Sequence, residues 1–185
     1  MAYRPVNRIV EIADLTQSPV TGAALFEHLR VDGAEEAVLI ETLAAAATAH
    51  IERFTNRLLQ VRDVVLRLPS LPTGQCPVEL PGGKVVSVTS VLIDGVAFTG
   101  ATAVGEAPAL LLPNADWPAV TGEGYYPVVI TYKAGYVDAP QPLLVALRMI
   151  VADLFEHRMS GMAGAVSEVP FAARTLMLPY RIRPA

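Results

Sequence analysis

One cysteine, Cys76 in the stretch TGQCPVE, is all that 185 residues contain. It permits no intrachain disulfide and no cysteine-pair metal site, and it fits synthesis in a cytoplasm. Histidine is nearly as sparse. His28, His50 and His157 each fall in an expected helix with no second ligand one turn away, and no HExxH pair occurs. They read as helix-surface or helix-packing residues, and neither a metal nor a cofactor is expected. Charge is scarce too, at 17% of residues with a formal net of −4. The arginines are scattered and mostly flanked by acids, as in HIERF and VRDVV, so the basic stripe of a duplex-gripping protein is missing. Long apolar runs are absent: LLVALRMIVADLF is broken by Arg148 and Asp153, too short a run to cross a bilayer. The start, MAYRPVNRIVEIADL, lacks the apolar core of a signal peptide, so a soluble protein made inside the cell and free of membranes is expected. Internal repeats and low-complexity tracts are missing as well.

What is present is apolar material. Hydrophobic residues make up 52% of the chain, ample for a core and more than a small soluble monomer needs. Surplus of that kind is commonly hidden in oligomer or partner contacts. The length suits one domain, or one domain with a sizeable insertion.

Periodicity divides the chain. Thr21 is a candidate N-cap for a first helix with Leu25 and Leu29 on one face. Asp32, with Glu35 three residues on, makes a capping box for a second helix over roughly Ala34 to Asn56. Its expected packing face is Leu39, Leu43, Ala46, Ala47, His50, Ile51 and Phe54. From Gln60 the period falls to two: Val64, Leu66 and Leu68 fall on one face, and Asp63, Val65 and Arg67 on the other. Strand-like runs PVEL, VVSVTSVLI, ALLL and PVVITYKAGY follow between turn signals. Helix returns after Pro140, with Leu143, Leu147, Ile150, Val151 and Leu154 as its apolar face and Gly161 as its stop. A small-residue hinge, MAGAVSEV, then leads to a short helix over Pro170 to Met177 that Ser167 could cap. The expected architecture is α+β. A helical hairpin (1–59) and a long helix (140–163) form a small bundle, an antiparallel β unit (60–139) is inserted between them, and a C-terminal arm (164–185) extends from the end.

No catalytic constellation emerges. LPGGK and GEGYYP lack Walker or dinucleotide spacing and read as hairpin turns. Cys76 reads as a plain loop or partly buried thiol, with no basic partner predictable nearby. Trp117 in ADWP reads first as a plug in the local β core, with an interface anchor as the alternative. A small enzyme or ligand-binding domain would require a pocket around Asp94, Asp116 and Tyr132 with strongly perturbed titratable groups.

The end of the chain, TLMLPYRIRPA, is apolar and punctuated by proline, and its only charges are arginines. Leu176, Met177, Leu178 and Tyr180 are poor material for solvent. The residues leave two docks open: the protein's own helices, or another protein.

Several segments together resemble the head–tail connector, or adaptor, family of long-tailed phages, prophages and gene-transfer-agent-like particles. The carriers are His28-Leu29-Arg30 and Asp32, the small residues Ala44 to Ala49, Ile51-Glu52, and the T-x-R exit at Thr55 to Arg57. VVSVTSVLIDGV, VVITYKAGY with PQPLLVALRMIVADLFEHR, and the closing LMLPYR complete the order. The resemblance implies a virion structural protein without catalysis, located at the head–tail interface and made in the host bacterial cytoplasm. Copies of the chain would form a ring, twelve-fold by expectation, under the portal protein. The ring would extend the DNA channel without sequence-specific contact and dock a downstream stopper or tail-completion protein. Leu176, Leu178, Pro179, Tyr180, Arg181 and Arg183 would be the portal-docking arm. A tail-completion or stopper role in the same particle is the nearest alternative.

Overall fold

The computed structural model describes residues 3, 5, 7–15, 18–31, 34–122, 124–157 and 170–183. The chain divides into two units: Met1–Asp14 with Gln60–Val137, and Leu15–Leu59 with Asp138–Ala185.

The first unit is all β. Strands β1 (Ile9–Ile12), β2 (Arg62–Leu68), β3 (Val78–Leu80), β4 (Val85–Ile93), β5 (Val96–Ala97), β6 (Ala101–Val104), β7 (Ala109–Pro113) and β8 (Val128–Ala134) form two antiparallel sheets. One has the order β1-β2-β8-β4-β5, the other β3-β7-β6. Alternation sets the buried face. Val64, Leu66 and Leu68 of β2 lie opposite Tyr132, Ile130 and Val128 of β8, and all six are fully buried. Cross-strand pairs of this kind are the unit of sheet stabilisation. Val78 and Leu80 of β3 face Leu111 and Ala109 of β7 in the same manner. Trp117 is buried as expected; its Nε1 donates to the Cys76 carbonyl at 2.8 Å and its ring lies 5.7 Å from that of Phe98. One strand was not anticipated. β1 adds Ile9–Ile12 to the edge of the five-stranded sheet, so the leading segment belongs with the β unit and not with the helices. Its residues are mostly exposed, which leaves little alternation to read.

The second unit is helical: α1 (Gly22–Leu29), α2 (Ala37–Thr55), α3 (Gln141–Glu156) and α4 (Phe171–Met177). Thr21 caps α1, its Oγ1 accepting from the Ala24 amide at 3.4 Å. A 3-10 turn, Ala34–Glu36, precedes α2, which starts three residues later than expected. The expected caps Asp32 and Ser167, the stop at Gly161 and the hinge at 162–169 lie outside the described residues.

The buried face of α2 is a correction. It comprises Ile40, Ala44, Ala47, Thr48, Ile51 and Thr55. Of the expected face only Ala47 and Ile51 are buried. Leu43 and Phe54 are half-buried, and Leu39, Ala46 and His50 are exposed. The helix is turned by about one residue, or 100°. Alanines at 44–47 make both faces nearly equal in apolar content, and the two threonines disguise the true one. Each carries its own solution to burial: Thr48 and Thr55 donate to the carbonyls of Ala44 and Ile51, both at 2.7 Å. On α3, Leu143, Ala146, Leu147, Ile150 and Val151 are buried, matching the expected face except at Leu154, which is 37% exposed. Leu154 falls in the last turn, where a helix end has fewer neighbours to cover it.

Candidate docking site

The C-terminal segment begins with the short helix expected over Pro170 to Met177. Pro170 opens α4, and the Arg174 amide closes the first turn on its carbonyl at 3.0 Å. Ala173 and Met177, four residues apart on one face, are fully buried within the helical unit, where α4 packs on α3 and α2. Proline at 179 cannot continue an α-helix as an interior donor, and Leu178–Tyr180 tighten into a 3-10 turn. The chain then runs on in extended form from Arg181.

Beyond Met177 the hold is mostly polar, and it comes from the end of α2. The Ile182 amide donates to the Thr55 carbonyl at 2.9 Å. Asn56 Nδ2 donates to the Ile182 carbonyl at 2.9 Å, and Arg57 Nε to the Tyr180 carbonyl at 2.6 Å. The Arg181 guanidinium sits 5.1 Å from the centroid of the Phe54 ring, within cation–π range. In the described residues, then, the tail docks on its own helices.

The expected docking residues are divided by this geometry. Leu176 and Tyr180 are half-buried, while Leu178 (46% exposed), Pro179, Arg181 and Arg183 face solvent. Met177, named with the residues unsuited to solvent but absent from the portal-docking set, is fully buried. Thr55, Asn56 and Arg57 were quoted only as a helix-exit motif. The clue to a special role was asparagine at a helix end, where a left-handed residue is favoured; Asn56 has φ 56°.

The alternative pocket does not assemble. Tyr132 is sealed in the β core, its hydroxyl donating to the Pro81 carbonyl at 2.9 Å. Burial pushes its phenol well above the usual tyrosine range, the response of a packed residue and not of a base. Asp94 sits at a hairpin turn with φ 53°, its Oδ2 accepting from the Thr121 amide at 2.8 Å and hydroxyl at 3.2 Å. It borders a depression of about 330 Å³ with Leu92, Tyr126 and Pro127, without Asp116 or Tyr132. Among the described residues, no group of three His, Cys, Asp or Glu side chains could hold a metal, and no helix is long and apolar enough to cross a membrane.

No family model and no curated protein matches the chain. Solved structures do. A chain in the neck of an empty gene transfer agent (GTA) particle, computed with C6 symmetry, superposes with a TM-score of 0.80 at 22% identity, over 96% of this chain and 97% of that one. A chain in the virion of a native GTA particle gives 0.75 at 24% identity, over 94% and 96%. Another, in the neck of a native GTA particle computed with C12 symmetry, gives 0.71 at 23% identity, over 95% and 97%. The fold is therefore that of chains found in gene-transfer-agent necks, and it accords with the connector likeness read in the sequence. It combines antiparallel sheets with a small set of helices, the α+β class.

Proposed function

We propose that this chain is a structural head–tail adaptor of a phage-like or gene-transfer-agent-like particle. The observation that carries the reading is the superposition on a GTA neck chain over 96% of the sequence. In this role the protein does no chemistry. Copies assemble side by side into a ring below the portal, twelve-fold by expectation; the neck structures it resembles were computed with C6 and C12 symmetry. A ring needs one surface patch to meet a different patch on the next copy, with a rotation that closes. Exposed apolar side chains are available for such contacts, among them Val38 and Leu39 on α2 and Val145 on α3.

The lumen carries DNA without gripping it. A chain of net charge −4 gains little counterion release from phosphate, so DNA can slide past. The C-terminal segment supplies the portal contact: Leu178 and Pro179 enter an apolar site while Arg181 and Arg183 pair with carboxylates around it. The face of the ring away from the portal receives the stopper or tail-completion protein.

Deleting the gene in producing cells tests the reading by electron microscopy of the particles released. Heads should still form and lack tails, and the chain supplied in trans should restore tailed particles. Normal tailed particles without it would end the proposal.

A further inference from the structure

Two short motifs, far apart in sequence, meet in the helical unit. Arg57 and Tyr180 are 123 positions apart, yet Thr55-Asn56-Arg57 lies directly against Tyr180-Arg181-Ile182. Each residue of the first triplet contributes one bond to the tail backbone, and the benefit is mutual. Thr55 is the last residue of α2, so its carbonyl has no partner further along the helix; the Ile182 amide supplies one. Asn56, in left-handed geometry beyond the helix, returns a donor to the Ile182 carbonyl. Arg57 reaches the Tyr180 carbonyl with a charge-assisted bond.

Apolar burial cannot hold this stretch. Among the described residues past Met177 none is fully buried, and Leu178, Pro179, Arg181 and Arg183 are exposed. Six residues without a core would fray unless their backbone were tied. The tie also has a consequence for binding, because a segment ordered beforehand does not lose that freedom when a partner arrives.

We infer that Thr55–Arg57 is a positioning clamp that preorders residues 178–183, and that the surface so fixed fits an acidic protein patch around an apolar pocket. Charge argues for the partner's chemistry: from Pro170 onward every charged side chain is arginine, on a chain whose net charge is −4. Leu178, exposed beside these arginines, would gain nothing from a phosphate backbone and much from an apolar pocket. The identity of the partner as the portal rests on the adaptor reading. The clamp itself does not.

The test compares the full-length chain with Asn56→Gly, Arg57→Ala and Arg57→Lys. Glycine keeps the left-handed helix end and removes only the amide donor. Amide exchange by NMR reads the clamp, and capture of tailless heads by the tagged chain reads docking. Wild-type Ile182 should exchange about 100-fold slower than an unstructured amide. Asn56→Gly and Arg57→Ala should each lower that protection about tenfold and shift the melting temperature by no more than ~3 °C. Head capture should weaken about tenfold in the same two variants, and Arg57→Lys should recover most of it. A merely structural role would move stability and leave docking at equal folded concentration unchanged. Unprotected wild-type amides at 181–182 would overturn the clamp. Full head capture by a variant whose tail has lost protection would overturn preordering. A protected tail with no capture by wild type would uphold the clamp and sink the portal reading. DNA binding abolished by Arg181→Ala and Arg183→Ala would overturn the choice of a protein partner.

Discussion

The two units of this molecule close their cores by different means. In the β unit, side chains of β2 and β8 meet as opposed pairs across a hydrogen-bond ladder, each residue fixed by both neighbours and backbone. In the helical unit, α2 contributes small residues and two back-bonded threonines, and the last segment of the chain is held chiefly by polar bonds. The first arrangement tolerates no slip, since moving a strand by one residue turns its whole apolar set to the other face. The second has no such ladder to fix its register.

The largest break in the β unit is expected at Gly135. It has φ +127°, and a Cβ there would collide with the backbone carbonyl of Gln60. Gly135→Ala should cost about 3–5 kcal/mol, seen as a lowered urea midpoint by fluorescence of Trp117, the sole tryptophan. In the helical unit the sharpest contrast lies between neighbours. Ala47→Leu should overpack the buried face of α2 and cost about 1–3 kcal/mol. Ala46→Leu, one residue away and exposed, should stay within about 0.5 kcal/mol by circular dichroism. Equal costs would mean the face has been assigned wrongly.

Tyr132→Phe leaves the Pro81 carbonyl without its donor and should cost about 1–2 kcal/mol. The wild-type residue also predicts a pH dependence. Burial holds the phenol above its ordinary value of 10, so the folded form keeps a proton that the unfolded chain releases. Its contribution is complete below about pH 10 and declines as pH rises further. Tyr132→Phe should flatten the alkaline loss of stability, measured as urea midpoints between pH 8 and 11. A small effect is expected at Arg181→Ala, which removes the contact with Phe54 and should cost about 0.5–1 kcal/mol at most.

Much of the β unit was legible because a period of two has only two answers, and Val64, Leu66 and Leu68 name one of them. The α2 face was harder. With alanine at 44–47 the apolar content is spread around the helix, so bulk favoured Leu39 and Leu43 while packing chose Ile40 and Ala44. A threonine reads as polar in sequence, and only its i−4 carbonyl shows that it can be buried. The short helix at Pro170 to Met177 was readable from its proline boundary. The clamp was not, because it depends on contacts between residues more than a hundred positions apart that local pattern cannot encode. The proposed docking residues followed from the family resemblance, which says nothing about what orders their backbone.

The central claim is that the chain sits in a particle neck, and the most direct measurement is cryo-electron microscopy of purified particles from producing cells. The account predicts a closed ring between head and tail whose density fits this fold, with residues 178–183 against the portal. Purified, tailed particles that contain no copy of the chain would contradict it.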